Sequence, residues 1–272
     1  MVPRTALAKL VVIDRRGNLL SQIPIKPAAP GQVASGMRFV EALEWLTPNQ
    51  IAVSGSVNPS TTEYELFDWT TGKTLKAFFD DGGGAAFSPD GQHYAYVTGA
   101  PHFARAADRT PTLNLDDKPL YKAAGGQVEF SSRPQWSDDG QSLAVLTADA
   151  SGRRSVLVAG ARSASAAPTP LPAVAGTPQV APKALFWSGG DLYLTQTTND
   201  GPQAAPRTWI LPKGTGAWTS VEATQAPAEP ATKSKSAKTL ARAAAPGGTY
   251  YDVWCGSCDL TALPRRSSVN AE

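Results

Sequence analysis

Two cysteines, Cys255 and Cys258, are the residues whose type and spacing most directly offer chemistry. They are the only cysteines of the 272-residue chain. Thiols two residues apart can form a local disulfide, remain free, exchange redox equivalents or help to bind a metal. A structural zinc ion needs four ligands, and only His93 and His102 could join the sulfurs. The cysteines are therefore a candidate disulfide or redox pair, with free thiols as an alternative, and no metal or other cofactor is predicted.

The segment that contains the cysteines, Trp254-Cys255-Gly256-Ser257-Cys258, resembles the thioredoxin active-site motif of Trp, Cys, Gly, Pro and Cys. In that family the first thiolate lies at the N-terminus of a helix, which lowers its pKa. Here a serine replaces the proline, only 14 residues follow Cys258, and Pro264 interrupts any helix early. The resemblance therefore does not predict a thioredoxin fold.

The remaining candidates for catalysis or ion binding fit their motifs poorly. The only histidines are His93 and His102, and the sequence has no Gly-x-Ser-x-Gly nucleophile elbow. The acidic and glycine residues at 80–84 and the acidic pair at 116–117 lack the alternating ligands of a calcium loop. The glycines also lack the Lys-Ser/Thr of a phosphate loop. We interpret both segments as turns, and no catalytic residue is predicted.

Composition and charge exclude several classes of function. The apolar content of 42% indicates a packed protein, and the net charge of +2 is too small to predict a nucleic-acid partner. The sequence contains no apolar run of the roughly 20 residues that a membrane-spanning helix needs. The apolar run at 10–13 is too short for a signal-peptide core. We expect no membrane-spanning segment and no signal peptide in this chain, and its location stays open.

An internal repeat is the strongest signal in the sequence. Four segments begin with an aromatic residue, pass through a polar turn and continue into an alternating apolar run; the aromatics are Trp45, Phe87, Trp136 and Trp187, spaced by 42, 49 and 51 residues. Each segment predicts a β-hairpin, and a second hairpin follows in most repeats. Two hairpins per repeat give four antiparallel strands.

Repeats of four strands at this period predict an all-β fold, a β-propeller of four-stranded antiparallel blades. We expect one domain over residues 1–272, with about five blades or an incomplete propeller. Strands from the two ends of the chain, at 10–25 and 249–254, would complete a fifth blade by pairing. Two Ala/Pro/Ser-rich segments, 161–182 and 222–248, are predicted as flexible loop insertions.

Two of the repeats also carry a family resemblance. Ser-Pro-Asp-Gly at 88–91 and Ser-Asp-Asp-Gly at 137–140, each between an aromatic residue and an apolar strand, resemble the WD40-like (PD40) repeat of TolB-type β-propellers. The resemblance covers roughly residues 40–195. It implies a bacterial periplasmic or extracellular location, where a disulfide persists. The same repeat builds the propellers of prolyl-oligopeptidase-like enzymes, and we do not expect their hydrolase domain in this sequence.

The function predicted from these features is a non-enzymatic scaffold that binds another protein or belongs to a larger assembly. The long connection at 99–122 contains aromatic residues and arginines, which are enriched in interfaces. The candidate binding residues there are Phe103, Arg105, Arg109 and Tyr121. The alternatives are a ligand-binding or accessory propeller portion of a hydrolase-type enzyme, and a redox protein that uses its cysteine pair.

Two further groups of residues bear on binding. A channel ligand would need polar groups from the innermost strands, which we expect to supply Ser54, Tyr94, Thr98, Thr147 and Thr195. The leading aromatics should pack between blades, whereas the tryptophans nearest the outer hairpins, and therefore the better candidates for exposure, are Trp69, Trp209 and Trp218.

Overall fold

The protein was analysed as a computed structural model. The structure describes residues 9–14, 18–24, 41–100, 109–123, 128–161, 167–171, 182–197, 206–222, 226–227, 241–244 and 250–256. Every regular element in these ranges is a β-strand. Accordingly, the described ranges hold no helix of the length and apolar character needed to cross a membrane.

The strands form five antiparallel sheets, which we call blades I to V. Blade I has the order β2-β1-β21-β20, with β1 Lys9–Ile13, β2 Leu19–Pro24, β20 Ala241–Ala244 and β21 Tyr250–Gly256. Blade II contains β3 Ala42–Thr47, β4 Gln50–Asn58, β5 Thr61–Asp68 and β6 Lys73–Asp80. Blade III contains β7 Ala86–Phe87, β8 Tyr94–Thr98, β9 Thr112–Leu115 and β10 Lys118–Lys122.

Blades IV and V complete the series. Blade IV contains β11 Val128–Phe130, β12 Gln135–Trp136, β13 Ser142–Asp149, β14 Arg154–Gly160 and β15 Ala167–Pro170. Blade V contains β16 Pro182–Ser188, β17 Asp191–Thr197, β18 Pro206–Leu211 and β19 Thr219–Val221. In blades II, III and V consecutive strands are neighbours, as expected for hairpins in sequence, whereas in blade IV β11 and β12 both pair with β13. This repeated meander of four antiparallel strands confirms the predicted all-β, β-propeller class.

The chain divides into two compact units. Unit 1 comprises Met1–Phe79 and Ser234–Glu272, and unit 2 comprises Asp80–Lys233. Blade I and blade II up to Phe79 therefore belong to unit 1, and Asp80 with blades III, IV and V belongs to unit 2.

Strands from both ends of the chain meet in blade I. Strand β1 pairs antiparallel with β21, so that Leu10 lies opposite Cys255 and Val12 lies opposite Val253. On its other side β1 forms a hairpin with β2. The predicted pairing of terminal strands in one blade is confirmed.

The turn after the leading aromatic has the same hydrogen bonds in blades III and IV. The Ser88 hydroxyl donates to Asp90 over 2.5 Å, and the Gly91 amide donates to the Ser88 carbonyl over 2.8 Å. Gly91 has a φ of 69°, which glycine adopts without strain. The equivalent residues of blade IV repeat the pattern: Ser137, Asp139 and Gly140. The Ser-x-Asp-Gly motif is therefore a turn that closes on itself.

The central strands of unit 2 are buried on both faces. Along β13, Leu143 and Val145 belong to the apolar cluster shared with blade III, whereas Ala144 and Leu146 belong to the cluster shared with blade V. Blade IV is thus packed between its two neighbours. This arrangement explains why the strand is almost continuously apolar, since alternation is expected only where one face meets water.

Unit 1 has its own apolar core, formed by blades I and II together. The fully buried side chains of this core include Leu10 and Val12 of β1 and Ile51, Val53 and Phe67 of blade II. Burial of such side chains contributes roughly 1.5–3 kcal/mol each. The pairing of strands from the two chain ends therefore coincides with a packed core.

Two strands lie within the segments predicted as loop insertions. Ala167–Pro170 forms β15, which pairs with β14, and Ala241–Ala244 forms β20, which pairs with β21. The prediction of flexible loop insertions did not include these strands. Both lie at the edge of their sheet, where the prolines of β15 are tolerated because an edge strand leaves half of its amides outside the ladder.

The leading strands of unit 2 connect one blade to the next. Strands β7, β12 and β16 contact one another from blade to blade, and each forms an edge of its sheet or, for β12, shares that edge with β11. The residues proposed to line a channel lie instead on the second strands, β4, β8, β13 and β17. Thr147, for example, is buried and donates to the Ser155 carbonyl. A channel lined by these residues remains a prediction.

The three tryptophans expected to be more exposed pack against the cores. Trp69 contacts the core of unit 1 and donates its indole N–H to the Pro48 carbonyl over 2.8 Å. Trp209 and Trp218 contact the cluster between blades IV and V. The three tryptophans are therefore partly buried at the borders of the two cores.

Candidate functional site

Residues of blades III and IV line a cleft. Its volume is about 350 Å³. Its polar lining consists of Asp81, Arg109, Glu129, Ser131, Ser132 and Arg133, and its apolar lining includes Val97, Ala100, Pro111 and Phe130. We call it the III/IV cleft. Charged groups of both signs beside apolar walls are typical of a binding site.

One wall of the cleft is a glycine loop that Asp80 holds in place. One carboxylate oxygen of Asp80 accepts from the amides of Gly82 (3.1 Å) and Gly84 (2.8 Å), and the other accepts from Val97 (2.9 Å). The side chain is almost fully buried, and this burial raises the pKa of Asp80 above its usual value despite the three hydrogen bonds. These bonds confirm the interpretation of the acidic-glycine segment as a turn.

The glycine at 82 is required by packing. A Cβ atom at this position would overlap the side chain of Val97. Gly83 and Gly84 have φ values of 92° and 126°, a region that side-chain-bearing residues rarely adopt. The loop can therefore approach β8 closely only because its residues lack side chains.

The opposite wall arises from a break in the leading strand of blade IV. Strands β11 and β12 both pair with β13, but residues 131–134 between them leave the ladder. The Ser131 amide still donates to the Leu146 carbonyl, and the Ser132 hydroxyl accepts from the Leu146 amide over 2.9 Å. Arg133 precedes Pro134, which restricts Arg133 to extended conformations. Two serines and a proline thus fix the position of Arg133.

Arg133 links the two blades at the cleft. Its Nε donates to the carbonyl of the buried Ala85 over 2.5 Å, across 48 residues of sequence. The bond orients a guanidinium group that carries five N–H donors. Three residues before its leading tryptophan, where blade IV has Arg133, blade V has Ala184. The junction of blades III and IV therefore has an arginine at a position where the junction of blades IV and V has an alanine.

Arg109 forms the second cationic group of the cleft. Its Nη1 donates to Glu129 Oε1 over 3.2 Å, with 19% of the Arg109 side chain exposed and 67% of the Glu129 side chain. The acidic partner thus lies at the mouth of the cleft and the arginine lies deeper. Asp81, on the glycine loop, accepts from the Gly99 amide over 3.1 Å.

The structure places two of the four predicted binding residues close to this cleft. Arg109 lines it, whereas Tyr121 lies behind it, where its ring packs edge-on against Phe130 with centroids 6.3 Å apart. Phe103 and Arg105 lie outside the described residues. A binding role for the four residues remains a prediction.

The cysteine pair is described in part. Cys255 lies in β21 opposite Leu10, and Cys258 lies outside the described residues. His102 is also outside them. Within the described ranges no group of three or more His, Cys, Asp or Glu side chains is arranged to hold a metal ion.

His93 forms a pair with an aspartate of the neighbouring hairpin turn. Its Nδ1 lies 2.7 Å from Asp116 Oδ2, and the ring stacks against Trp136 of blade IV with centroids 6.2 Å apart. Asp116 and Asp117 have φ values of 48° and 64°, as in a tight two-residue hairpin turn. The hydroxyl of the nearby Ser88 donates to Asp90 rather than to the imidazole. The arrangement fastens a hairpin turn to the adjacent blade.

Sequence reasoning missed Asp81, Glu129 and Arg133 as members of one site. A signal for Arg133 was present, because Ser131-Ser132-Arg133-Pro134 interrupts the apolar pattern just before the leading Trp136. Glu129 and Asp81 carry no comparable signal. Their relation to Arg109 depends on how blades III and IV pack.

Comparisons with known proteins yield structural similarities only. No family model matches the chain, and no curated protein matches its sequence. Solved structures with a similar fold include a prolyl endopeptidase, with 12% identity, 79% of this chain and 36% of that chain covered, and a TM-score of 0.46. The β-propeller domain of the Trilobed protease from Pyrococcus furiosus is 11% identical in sequence. The match covers 80% of this chain and 64% of that chain, with a TM-score of 0.44. TolB from Acinetobacter baumannii is 16% identical in sequence. The match covers 79% of this chain and 52% of that chain, with a TM-score of 0.39.

The chain spans between about a third and two thirds of the length of these structures. At such low identities and TM-scores, the similarities carry no information on activity, substrate or partner. The β-propeller class rests on the order and pairing of the strands described above. The likeness to TolB-type repeats remains a resemblance of motifs.

Proposed function

We propose that the chain is a non-enzymatic β-propeller scaffold that binds another protein through the III/IV cleft. The observation that carries this proposal is the combination of Arg109, Arg133 and Phe130 in one cleft between two packed blades. Arginine and aromatic residues are enriched among the residues that dominate binding energy at interfaces. A cleft of about 350 Å³ accommodates a few side chains of a partner segment.

The walls of the cleft support binding without large rearrangement. Asp80 fixes the glycine loop with three hydrogen bonds, and the Ser131 and Ser132 contacts fix the break between β11 and β12. A preformed site loses less conformational entropy when a ligand binds. The cleft therefore favours recognition of one defined segment.

The proposal is tested by filling the cleft. Ser131 is exposed and lines the cleft, so Ser131→Trp places an indole there. Ser220→Trp, at an exposed position of β19 in blade V, is the matched control. The tagged protein and both variants are purified under mild conditions from the native source, and co-purifying chains are identified by mass spectrometry.

We expect a stoichiometric partner with the unchanged protein and with Ser220→Trp, and its loss with Ser131→Trp. Retention of the partner by Ser131→Trp would show that the III/IV cleft is not the interface. Recovery of every form without a partner would contradict the scaffold function itself.

The alternative is a ligand-binding or accessory propeller portion of a hydrolase-type enzyme. The volume of the cleft favours this alternative to a limited extent, because it lies at the lower end of the range of small-molecule sites, roughly 300–1,000 Å³. Native mass spectrometry of the purified protein distinguishes the two functions. A bound small molecule that is lost in Ser131→Trp, without a protein partner, would favour the alternative.

A further inference from the structure

Strand β6 is the last strand of blade II and lies at the edge of its sheet. It has eight residues, and its one neighbour among the described strands is β5. On the side away from its neighbour, an edge strand presents amide and carbonyl groups that its own sheet does not use. β6 therefore offers a main-chain surface along which a further strand can extend blade II.

The last strands of blades III to V carry features that oppose such pairing. Strand β10 contains Pro119 and a register shift, β15 has four residues of which two are prolines, and β19 has three residues. Short strands, prolines and bulges are the means by which proteins protect sheet edges from other strands. β6 is longer than these three strands and contains no proline. Its edge therefore lacks the protection that theirs have.

One face of β6 carries a row of exposed apolar side chains. Leu75 is 48% exposed, Ala77 is exposed and Phe79 is 39% exposed. Phe78 is buried, and its ring stacks on Tyr64 of β5 with centroids 5.2 Å apart. Because side chains alternate between the faces of a strand, Leu75, Ala77 and Phe79 lie together on the face opposite Phe78. We call these three residues the β6 stripe.

The β6 stripe is complementary to itself. When a two-fold axis perpendicular to the sheet relates two antiparallel copies, each face of one copy continues onto the same face of the other. With the axis at Ala77, Leu75 of each copy lies opposite Phe79 of the other, and the two small Ala77 side chains meet at the centre. An axis at Lys76 would place two lysines opposite each other, and an axis at Phe78 would move Leu75 beyond the end of the second strand. The register centred on Ala77 therefore covers the whole stripe.

The charges at the two ends of β6 are also complementary. The strand begins at the exposed Lys73, and the half-buried Asp81 follows its last residue. Antiparallel pairing brings the basic end of each strand to the acidic end of the other, whereas parallel pairing would bring like charges together. The attraction acts through space, so Asp81 keeps its bond with the Gly99 amide. The charge pattern therefore favours an antiparallel second copy.

We propose that a second copy of this chain binds along β6, with the two β6 strands antiparallel and the two-fold axis at Ala77. The four-stranded blade II of each copy would then form one continuous sheet with that of the other. This surface is distinct from the III/IV cleft, so the proposal goes beyond the proposed function. A single pair of edge strands is a small interface, and the dimer should therefore dissociate on dilution.

The experiment is analytical ultracentrifugation of the full-length protein over a hundredfold range of concentration. Residue 77 faces its own copy at the axis, so Ala77→Asp places two carboxylates about 5 Å apart and Ala77→Lys places two ammonium groups there. We expect each variant alone to weaken the dimer at least tenfold. An equimolar mixture of the two variants brings opposite charges together and should dimerise again.

The matched control is Leu19→Asp, at a 52% exposed position of β2 in blade I. It adds the same charge to another edge strand of unit 1 and should leave the dimer unchanged. Urea denaturation of each variant, at a concentration at which the protein is monomeric, verifies that the fold is retained. Recovery of the dimer in the mixture separates an effect on the interface from an effect on folding.

Four results would overturn the proposal. A protein that stays monomeric at every concentration would leave the β6 edge to a strand of a different protein. A dimer that Ala77→Asp leaves intact, or a mixture of the two variants that stays monomeric, would contradict the axis at Ala77. Association beyond a dimer would contradict a two-fold interface, because such an interface closes on itself. The loss of a partner from Ser131→Trp does not depend on any of these results, so the proposed function is tested separately.

Discussion

The indole nitrogen of Trp136 donates a hydrogen bond of 3.1 Å to the carbonyl oxygen of Ala86, 50 residues earlier in the chain. Ala86 immediately precedes Phe87, the leading aromatic of the previous blade. The bond recurs one blade further on, where Trp187 donates to the carbonyl of Gln135 over 3.0 Å, and Gln135 precedes Trp136. The leading tryptophans therefore connect successive blades in a regular manner.

Removal of this bond should destabilise unit 2. Trp136→Phe keeps an aromatic ring but removes the N–H, so the Ala86 carbonyl loses this donor. We expect a decrease in the free energy of unfolding of about 1–3 kcal/mol, measured by urea denaturation, and a similar decrease for Trp187→Phe. Trp209→Phe is the control, because the buried Trp209 Nε1 has no hydrogen-bond partner among the described residues. Equal losses for all three variants would assign the effect to ring volume.

The glycine loop of the cleft should not tolerate a side chain at position 82. Gly82→Ala places a methyl group against Val97, and the loop or β8 must shift to accommodate it. We expect a loss of about 1–3 kcal/mol in the free energy of unfolding, as for other overpacked sites. Gly216→Ala, where a Cβ meets no atom within 4 Å, is the matched control. A Gly82→Ala protein as stable as the control would show that the loop is not tightly packed.

The stability of unit 1 should depend on the protonation of Glu65. Glu63 and Glu65 lie on the same face of β5, and burial together with the charge of Glu63 raises the pKa of Glu65 to about 7. In the unfolded chain the pKa is near 4.5. Between these values the folded state binds more protons than the unfolded state, so the free energy of unfolding falls as the pH rises from 5 to 7.

Glu65→Gln should remove this dependence. We expect the variant and the unchanged protein to be about equally stable near pH 5. The variant should be more stable by roughly 1–2 kcal/mol at pH 8, a figure reduced because Glu65 is only partly buried. Denaturation curves at several pH values measure this difference. A difference between Glu65→Gln and the unchanged protein that is the same at every pH would contradict the prediction.

The sequence was sufficient to predict features that depend on local chemistry. The Ser88-Asp90-Gly91 turn is determined by residues within four positions of one another, and its repetition at Ser137 identifies the period of the blades. The pairing of β1 with β21 could also be predicted. The strand-like segments at 10–25 and 249–254 each lacked a neighbouring segment with which to complete a blade. These features need no knowledge of how blades pack.

The cleft could not be predicted in the same way. Arg133 contacts Ala85, and Arg109 contacts Glu129, only because blades III and IV lie face to face. The position of Arg133 in the cleft depends on the break between β11 and β12. In the sequence these two short strands show no pattern that separates them. Charges that meet across a blade junction are far apart in sequence, and no motif records them.

The composition of blade I has a consequence for the order of folding. Strand β1 is synthesised before unit 2, and its neighbour β21 is synthesised after it. Blades III to V are formed from consecutive strands, whose contacts close short loops and need little entropy loss. We therefore expect unit 2 to acquire its structure during synthesis. The β1–β2 hairpin must remain without its β21 neighbour until β21 itself is translated.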